Sequence, residues 1–382
     1  MRVAIFSEVY WPMVSGVSLV IQRLADTLEA RGHTVRVFTP EYERPASQPD
    51  VPHVHRVPSR PLFLYPDVQW GFPDWPQLRE QFAAFRPDLV HVATEFAMGS
   101  AGVRLAREYG VPVIASAHTD YERYAARYHL DWLMPAGWGY LRWFYGHAVR
   151  VLCPSRRYER HLQLRGVRHT GLWSRGVDSG LFTPARRSEA VRAEFGLAPG
   201  QPMVLYVGRL AAEKNLLLLL EAWRMLGARA DTPRLVLVGH GPLEAQLRAE
   251  APPQVILAGQ RRGDALAAVY ASADVYVMPS STETFGNVLL EAMASGLPSV
   301  AARAGGPLDF AVHGDNAWLV APDDAEAFTA GMTRLLDDAA LRQHLAIGAR
   351  ATAVERSWDT IFDGVLAEYR RAIDLGAVDV AA

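Results

Sequence analysis

The sequence predicts an α/β protein built as two domains, each a mostly parallel sheet covered by helices. Three observations carry this reading. Short apolar runs alternate with segments of helical periodicity, the pattern of βαβ units whose strands are buried on both faces. The alternation breaks off at residues 173–184, where Gly and Pro interrupt a stretch without periodicity, and then starts again. A chain of 382 residues is also longer than one hydrophobic core usually organises.

In the first half the apolar runs predict strands at 3–6, 35–38, 54–57, 89–92, 113–116 and 149–153. Between them, helical spacing predicts helices at 18–30, 96–109 and 155–165. The second half repeats the scheme with strands at 204–207, 235–238, 255–257, 275–278 and 299–301. Its helices are expected at 216–226, 243–249, 265–271, 287–295 and from 325 onward. The expected division is residues 1–175 and 176–357, with a last helix, 358–373, crossing back onto the first domain.

Composition excludes several classes. The chain is 50% hydrophobic and 21% charged, with a formal net charge of −2, so it offers no global attraction for nucleic acid. One cysteine, Cys153, excludes an internal disulfide and a Cys-built metal site, as in a cytosolic protein. Residues 1–6 enter a strand pattern without a signal-peptide cleavage site, and no run of about 18 apolar residues is long enough to span a bilayer. The expected location is the cytoplasm, with peripheral contact at the inner face of the plasma membrane.

The charge is unevenly spread. From Trp138 to Arg168 there are seven arginines, Arg156 and Arg157 among them, and one acid, Glu159. From Tyr121 to His147 the chain is dense in aromatics, including Tyr121, Tyr124, Trp138 and Trp143. Aromatic anchors beside an Arg-rich face suit an anionic bilayer surface or an amphipathic acceptor. Core aromatics beneath a solvated basic helix fit the same pattern. A second aromatic and proline-rich stretch, 61–70, is expected to border the acceptor.

The only lysine, Lys214, stands against 38 arginines, five positions after Arg209. Both fall between an apolar strand ending in Gly208 and a leucine-rich helix, the place where open α/β sheets bind ligands. A compact ammonium and a guanidinium there suit the two phosphates of a diphosphate; a solvated helix start is the plainer reading. Further on, Glu283 and Glu291 bracket a helix start at Thr284, Phe285, Gly286 and Asn287, and Gly296 and Pro298 end that helix. Carboxylates beside free helix-start amides suit sugar hydroxyls and phosphate together. Taken singly, Glu283 also reads as a dipole-stabilising residue and Glu291 as a solvated one.

In combination these motifs resemble the retaining glycosyltransferases of family 4. Ser15-Gly16-Val17, Ala117-His118-Thr119-Asp120, Gly176-Val177-Asp178 with Phe182 and Pro184, and Gly239-x-Gly241-Pro242-Leu243 extend the resemblance along most of the chain. It implies the GT-B architecture: two Rossmann-like parallel-sheet domains facing across a cleft. The His118-Thr-Asp120 segment with Tyr124 and Ala126-Arg-Tyr128 is similar to bacterial mannosyltransferases acting on lipids or polyisoprenoid-linked sugars, and to sulfoquinovosyl-lipid synthases.

The resemblance implies roles residue by residue. Arg209 and Lys214 would neutralise the diphosphate, and Glu291 would hold the nucleotide ribose. Glu283, with the amides of Phe285 and Gly286, would hold hydroxyls of the transferred sugar; Asn287 would belong to the same donor site. Gly16 would let the backbone approach phosphate, although Ser15 stands where many relatives carry a second glycine. His118 would line the site near the sugar, unless it is simply a satisfied histidine at a strand end.

There is no Asp-x-Asp and no His/Cys cluster at ligand spacing, so neither metal nor other cofactor is expected. No carboxylate pair stands out as nucleophile and acid, in keeping with the family's front-face route through an oxocarbenium-like state. The implied partners are a nucleotide sugar, GDP-mannose first and a UDP-hexose next, and a lipid or glycolipid hydroxyl. The first alternative is a UDP-hexose-dependent glycolipid synthase (glucose, galactose or sulfoquinovose), and a nucleotide-sugar-binding protein that lost catalysis ranks below it. A pyridoxal-phosphate phosphorylase would need Lys214 for its Schiff base, and the Gly-x-Gly-x-x-Gly of a dinucleotide enzyme is absent after the first strand.

Overall fold

A computed structural model describes residues 1–13, 15–43, 51–62, 65–127 and 129–380. The chain forms two compact units: residues 1–119, 132–174 and 362–382 make one, and residues 120–131 and 175–361 the other. Each is considered on its own.

The first unit starts with β1 (Arg2–Phe6), α1 (Gly16–Ala30), β2 (Thr34–Pro40) and β3 (Val54–Val57). An antiparallel hairpin of β4 (Ser59–Leu62) and β5 (Tyr65–Gly71) follows, then α2 (Trp75–Phe85), β6 (Leu89–Val92), α3 (Ala97–Tyr109) and β7 (Val113–Ser116). Next, α4 (Tyr121–Arg127) belongs to the second unit, and the first resumes with α5 (Met134–Tyr145), β8 (Arg150–Cys153), α6 (Arg156–Leu164) and β9 (Thr170–Leu172). Its seven-stranded sheet runs β3-β2-β1-β6-β7-β8-β9, every pairing parallel. β6 and β7 are buried at all four positions, and apart from His91 and Ser116 their residues are apolar, which is why both are visible as strands in the sequence.

Local chemistry sets the helix ends. Ser15 caps α1 in a reciprocal box with Ser18, each side chain meeting the other's N–H, at 3.1 and 2.8 Å. Asp74 caps α2 ahead of Pro76. The strand order reverses between β1 and β6, and there Glu8 lies buried. Its carboxylate accepts from the Thr94 hydroxyl and from the Met98 N–H in the first turn of α3, while its own N–H donates to Thr94 Oγ1 at 2.8 Å.

The second unit continues with α7 (Glu189–Glu194), β10 (Met203–Val207), α8 (Leu216–Leu226), β11 (Arg234–Val238), α9 (Glu244–Glu250), β12 (Val255–Gly259) and α10 (Gly263–Ser272). It ends with β13 (Val275–Met278), α11 (Asn287–Ala294), β14 (Ser299–Ala302), β15 (Trp318–Val320), α12 (Ala325–Asp337) and α13 (Ala339–Val354). Its sheet runs β12-β11-β10-β13-β14-β15, again parallel throughout, with a buried apolar cluster on either side. The last helix, α14 (Trp358–Val380), starts in the second unit and belongs to the first from Phe362 on.

Most predicted elements are present within a residue or two. The stretch 61–70, read as a loop, forms most of the β4–β5 hairpin, and β9 and β15 went unread because three residues carry no period. The last helix runs seven residues beyond the expected 373.

Glu8 gives this fold a pH dependence. Burial pushes its pKa from 4.5 up to about 7, outweighing the hydrogen bonds that Thr94, Met98 and its own backbone make to the carboxylate. Above pH 4.5 the unfolded chain releases a proton that the folded one keeps, so this contribution is full at low pH and is lost as pH rises towards 7. Glu8→Gln should flatten the decline by up to roughly 3 kcal/mol. Denaturant unfolding of both proteins at pH 5 and pH 8 tests this, and parallel pH profiles would contradict it.

Candidate functional site

The densest group of predicted residues lies in the second unit, where its strand order reverses between β10 and β13. Because these strands are parallel neighbours, the loops leaving their C-terminal ends lie side by side. The loop after β10 carries Arg209 and a 3₁₀ turn, Ala212–Lys214, ended by Asn215 in the left-handed region at φ 58°. The loop after β13 carries Ser280 to Gly286.

Side chains and backbone join these loops. Lys214 Nζ donates to Glu283 Oε1 at 2.6 Å across 69 residues of sequence. The hydroxyls of Ser280 and Thr282 donate to the Glu213 carbonyl at 3.3 and 3.1 Å. Burial opposes the charge on Lys214, but Glu283, helped by Tyr206 and Glu213, more than offsets it and holds the ammonium above its usual pKa. Arg209, 4.0 Å from the buried Glu213 carboxylate, is shifted the other way, burial lowering its pKa against the pull of Glu213. The Tyr206 hydroxyl donates to the Arg209 carbonyl at 3.0 Å.

The helix start predicted at 284–287 is α11. Gly286 occupies its N-cap at φ 97°, a left-handed conformation that glycine adopts without strain, and no side chain caps the helix. Asn287 Oδ1 is buried with no hydrogen-bond partner among the described residues. Phe285 is buried against Phe310, their ring centroids 5.0 Å apart. Glu291 lies in the second turn, where its carboxylate accepts from the buried Tyr270 hydroxyl at 3.0 Å.

Several supporting residues escaped the sequence reading. The Gly306 N–H donates to the Glu283 carbonyl at 2.8 Å, and a Cβ at Gly306 would lie 1.9 Å from the Thr284 carbonyl oxygen. Gly305-Gly306-Pro307 was a visible signal, but nothing in the sequence tied it to Glu283. Arg123 of α4 donates to the Ser281 carbonyl and lies 3.4 Å from Asp120. Tyr121 thus stands on a helix of the second unit, although sequence order places it in the first half. The Tyr124 side chain and Tyr128 lie outside the described residues.

The remaining predicted residues are in the first unit. Gly16 is exposed in the first turn of α1, where the Ser15 cap takes up the Ser18 N–H. His118 follows β7 and is buried, its Nε2 2.8 Å from Ser116 Oγ. Trp143, Arg156 and Arg157 are exposed. Trp138 corrects the expectation of a surface residue: it is 7% exposed, edge-on to His161 and beneath Arg165, because it faces inward beside Leu141 and Tyr145 on α5. Among the described residues, no three His, Cys, Asp or Glu side chains stand where they could hold a metal ion, and no helix is long and apolar enough to cross a membrane.

Comparison with known proteins decides the family. The profile for Glycosyltransferase Family 4 matches residues 14–181, and that for Glycosyl transferases group 1 matches residues 201–338. A GDP-mannose-dependent alpha-mannosyltransferase of Mycolicibacterium smegmatis is 36% identical over 98% of both chains. The chain belongs to glycosyltransferase family 4. A sulfoquinovosyl transferase of Arabidopsis thaliana is 33% identical over 78% of this chain and 60% of its own. Among solved structures, sucrose-phosphate synthase of Thermosynechococcus elongatus superposes with a TM-score of 0.82 at 23% identity, covering 98% of this chain and 99% of its own, which fits the GT-B fold. The protein is a glycosyltransferase.

Gly306→Ala should lower the melting temperature by several degrees, since backbone is all that the added methyl meets. A melting curve checks this, and unchanged stability would contradict the tight seating of the Glu283 loop.

Proposed function

We propose that this glycosyltransferase moves a hexose, mannose from GDP-mannose in the first instance, to a hydroxyl of a lipid or glycolipid, with retention at the anomeric carbon and without a metal ion. The observation that carries the reading is the Lys214–Glu283 pair, 2.6 Å long, beside Arg209 and the uncapped start of α11. It puts cations, a carboxylate and helix-start amides at one strand switch point, as a sugar diphosphate requires. The mannosyltransferase relative supports mannose and GDP. Its product is an alpha-mannoside, and GDP-mannose is itself an α-glycosyl diphosphate, so that relative's name is consistent with retention.

In this reading Arg209 and Lys214 draw the diphosphate in and stabilise the charge that grows on it as the glycosidic bond breaks. Lys214 is already charged and held by Glu283, so little reorganisation precedes the reaction. Glu283 accepts hydrogen bonds from sugar hydroxyls, and Glu291, fixed by Tyr270, from the ribose. In the first unit, His118 lines the sugar and Gly16 meets phosphate, the roles that the family resemblance implies for them. The exposed Trp143 with Arg156 and Arg157 form the face that meets an anionic membrane carrying the acceptor, with the chain in the cytoplasm. The runner-up is a UDP-hexose-dependent glycolipid synthase, favoured by the sulfoquinovosyl transferase relative.

Lys214→Ala and Arg209→Ala should each lower kcat/KM for GDP-mannose by roughly 10² or more, about 3 kcal/mol of transition-state stabilisation. Lys214→Arg should also be impaired, because a planar fork does not replace a point charge. Diphosphate release measured across GDP-mannose, UDP-glucose and UDP-galactose, with and without EDTA, tests donor and metal together. Wild-type turnover in either alanine variant, or activity abolished by EDTA, would contradict the proposal. Sedimentation with anionic vesicles at low salt should weaken when Trp143, Arg156 and Arg157 are replaced together by alanine; unchanged sedimentation would remove this face from membrane contact.

A further inference from the structure

A chain of buried polar groups leads from the C-terminal helix to His118. Tyr369, fully buried on α14, places its hydroxyl 2.5 Å from His91 Nδ1, 278 residues away in sequence. His91, on β6 and also fully buried, places Nε2 2.9 Å from Ser116 Oγ at the end of β7. Ser116 Oγ in turn lies 2.8 Å from His118 Nε2. Trp173 packs against both imidazoles, 5.4 Å from that of His91 and 5.5 Å from that of His118. All five residues belong to the first unit.

We propose that the Tyr369–His91–Ser116–His118 chain fixes the tautomer of His118, making Tyr369, His91 and Ser116 positioning residues for the glycosyl-transfer site. The inference rests on the reading of His118 as a residue of that site. Its physical basis is donor and acceptor polarity. A neutral imidazole has one N–H and one bare nitrogen, and a hydroxyl has one proton to give. A phenol is a better donor than acceptor and a bare imidazole nitrogen a strong acceptor, so across the 2.5 Å contact Tyr369 donates to His91 Nδ1; burial, which raises the Tyr369 pKa well above its usual value, keeps the phenol protonated. His91 then carries its own proton on Nε2 and donates to Ser116. Ser116 passes its hydroxyl proton towards His118 Nε2, which leaves the His118 proton on Nδ1. A proton on Nδ1 is of the polarity that a sugar hydroxyl or phosphate oxygen can accept. Low local dielectric strengthens each link and makes a broken one costly. The arrangement gives a helix at the far end of the sequence a direct bearing on a strand-end histidine.

The test uses the full chain labelled with ¹⁵N-histidine. Two-bond nitrogen–proton spectra, with the His118 signals assigned by their loss in His118→Ala, report its tautomer, and diphosphate release from GDP-mannose reports turnover. The wild type should show the Nδ1–H form at His118. Tyr369→Phe, which keeps the ring, and Ser116→Ala should each shift His118 towards the Nε2–H form and lower kcat about 3- to 10-fold, as loss of one buried hydrogen bond implies. In the His118→Ala background Tyr369→Phe should have no further effect on kcat. Should Tyr369→Phe fail to fold, Ser116→Ala carries the same comparison.

An unchanged His118 tautomer in the folded variants would overturn the proposal. So would an equal loss from Tyr369→Phe with and without His118, which would mark Tyr369 as structural only. Wild-type turnover in His118→Ala would instead remove His118 from the site, and the positioning claim with it. Impaired His118→Ala beside a wild-type-like Tyr369→Phe would remove the relay alone.

Discussion

The Lys214–Glu283 ion pair is the constraint around which the second unit's site is arranged. Its partners come from loops after adjacent parallel strands, and the sheet puts those loops within reach of each other only because the strand order reverses there. Both side chains are largely buried, 20% and 15% exposed, so each charge depends on the other; removing one partner of such a pair typically costs several kcal/mol. The surrounding contacts serve the same end. Gly306 grips the Glu283 backbone, Ser280 and Thr282 hold Glu213, and Tyr206 holds the loop at Arg209. Charges so braced are already in place, which is what the proposed electrostatic stabilisation of a departing diphosphate would need.

Both sheets follow one rule with different chemistry. At the reversal in the second unit stand partly buried charges, Arg209, Lys214 and Glu283, whose side chains are 24%, 20% and 15% exposed. At the reversal in the first stands Glu8, sealed by Thr94 and the first turn of α3, with its pKa raised to about 7 by burial. The first unit's predicted contacts lie further along: Gly16 at the start of α1, and His118 beyond β7.

Much of this was legible in the sequence because the strands are short, apolar and buried on both faces, so periodicity reports them directly. Lys214 stood out by rarity, and Glu283 and Glu291 by their place around a helix start. What stayed hidden is what sequence order does not encode. The pairing of Lys214 with Glu283 needs the β10–β13 adjacency. Tyr270 supports Glu291 from another helix, and Arg123 reaches Ser281 from a segment lying among residues of the other unit. Trp138 was misplaced because aromatic density alone does not say which face of α5 is covered; Trp143, five residues on, lies on the exposed face.

The central claim is that Lys214 and Glu283 act as one unit in holding a nucleotide diphosphate. A double-mutant cycle of Lys214→Met and Glu283→Gln, read as GDP affinity by titration calorimetry, tests it most directly. Strong non-additivity is predicted, with a coupling of about 1 kcal/mol or more, because each single change leaves the other charge misplaced. Additive losses, or GDP binding unaffected by either change, would contradict it.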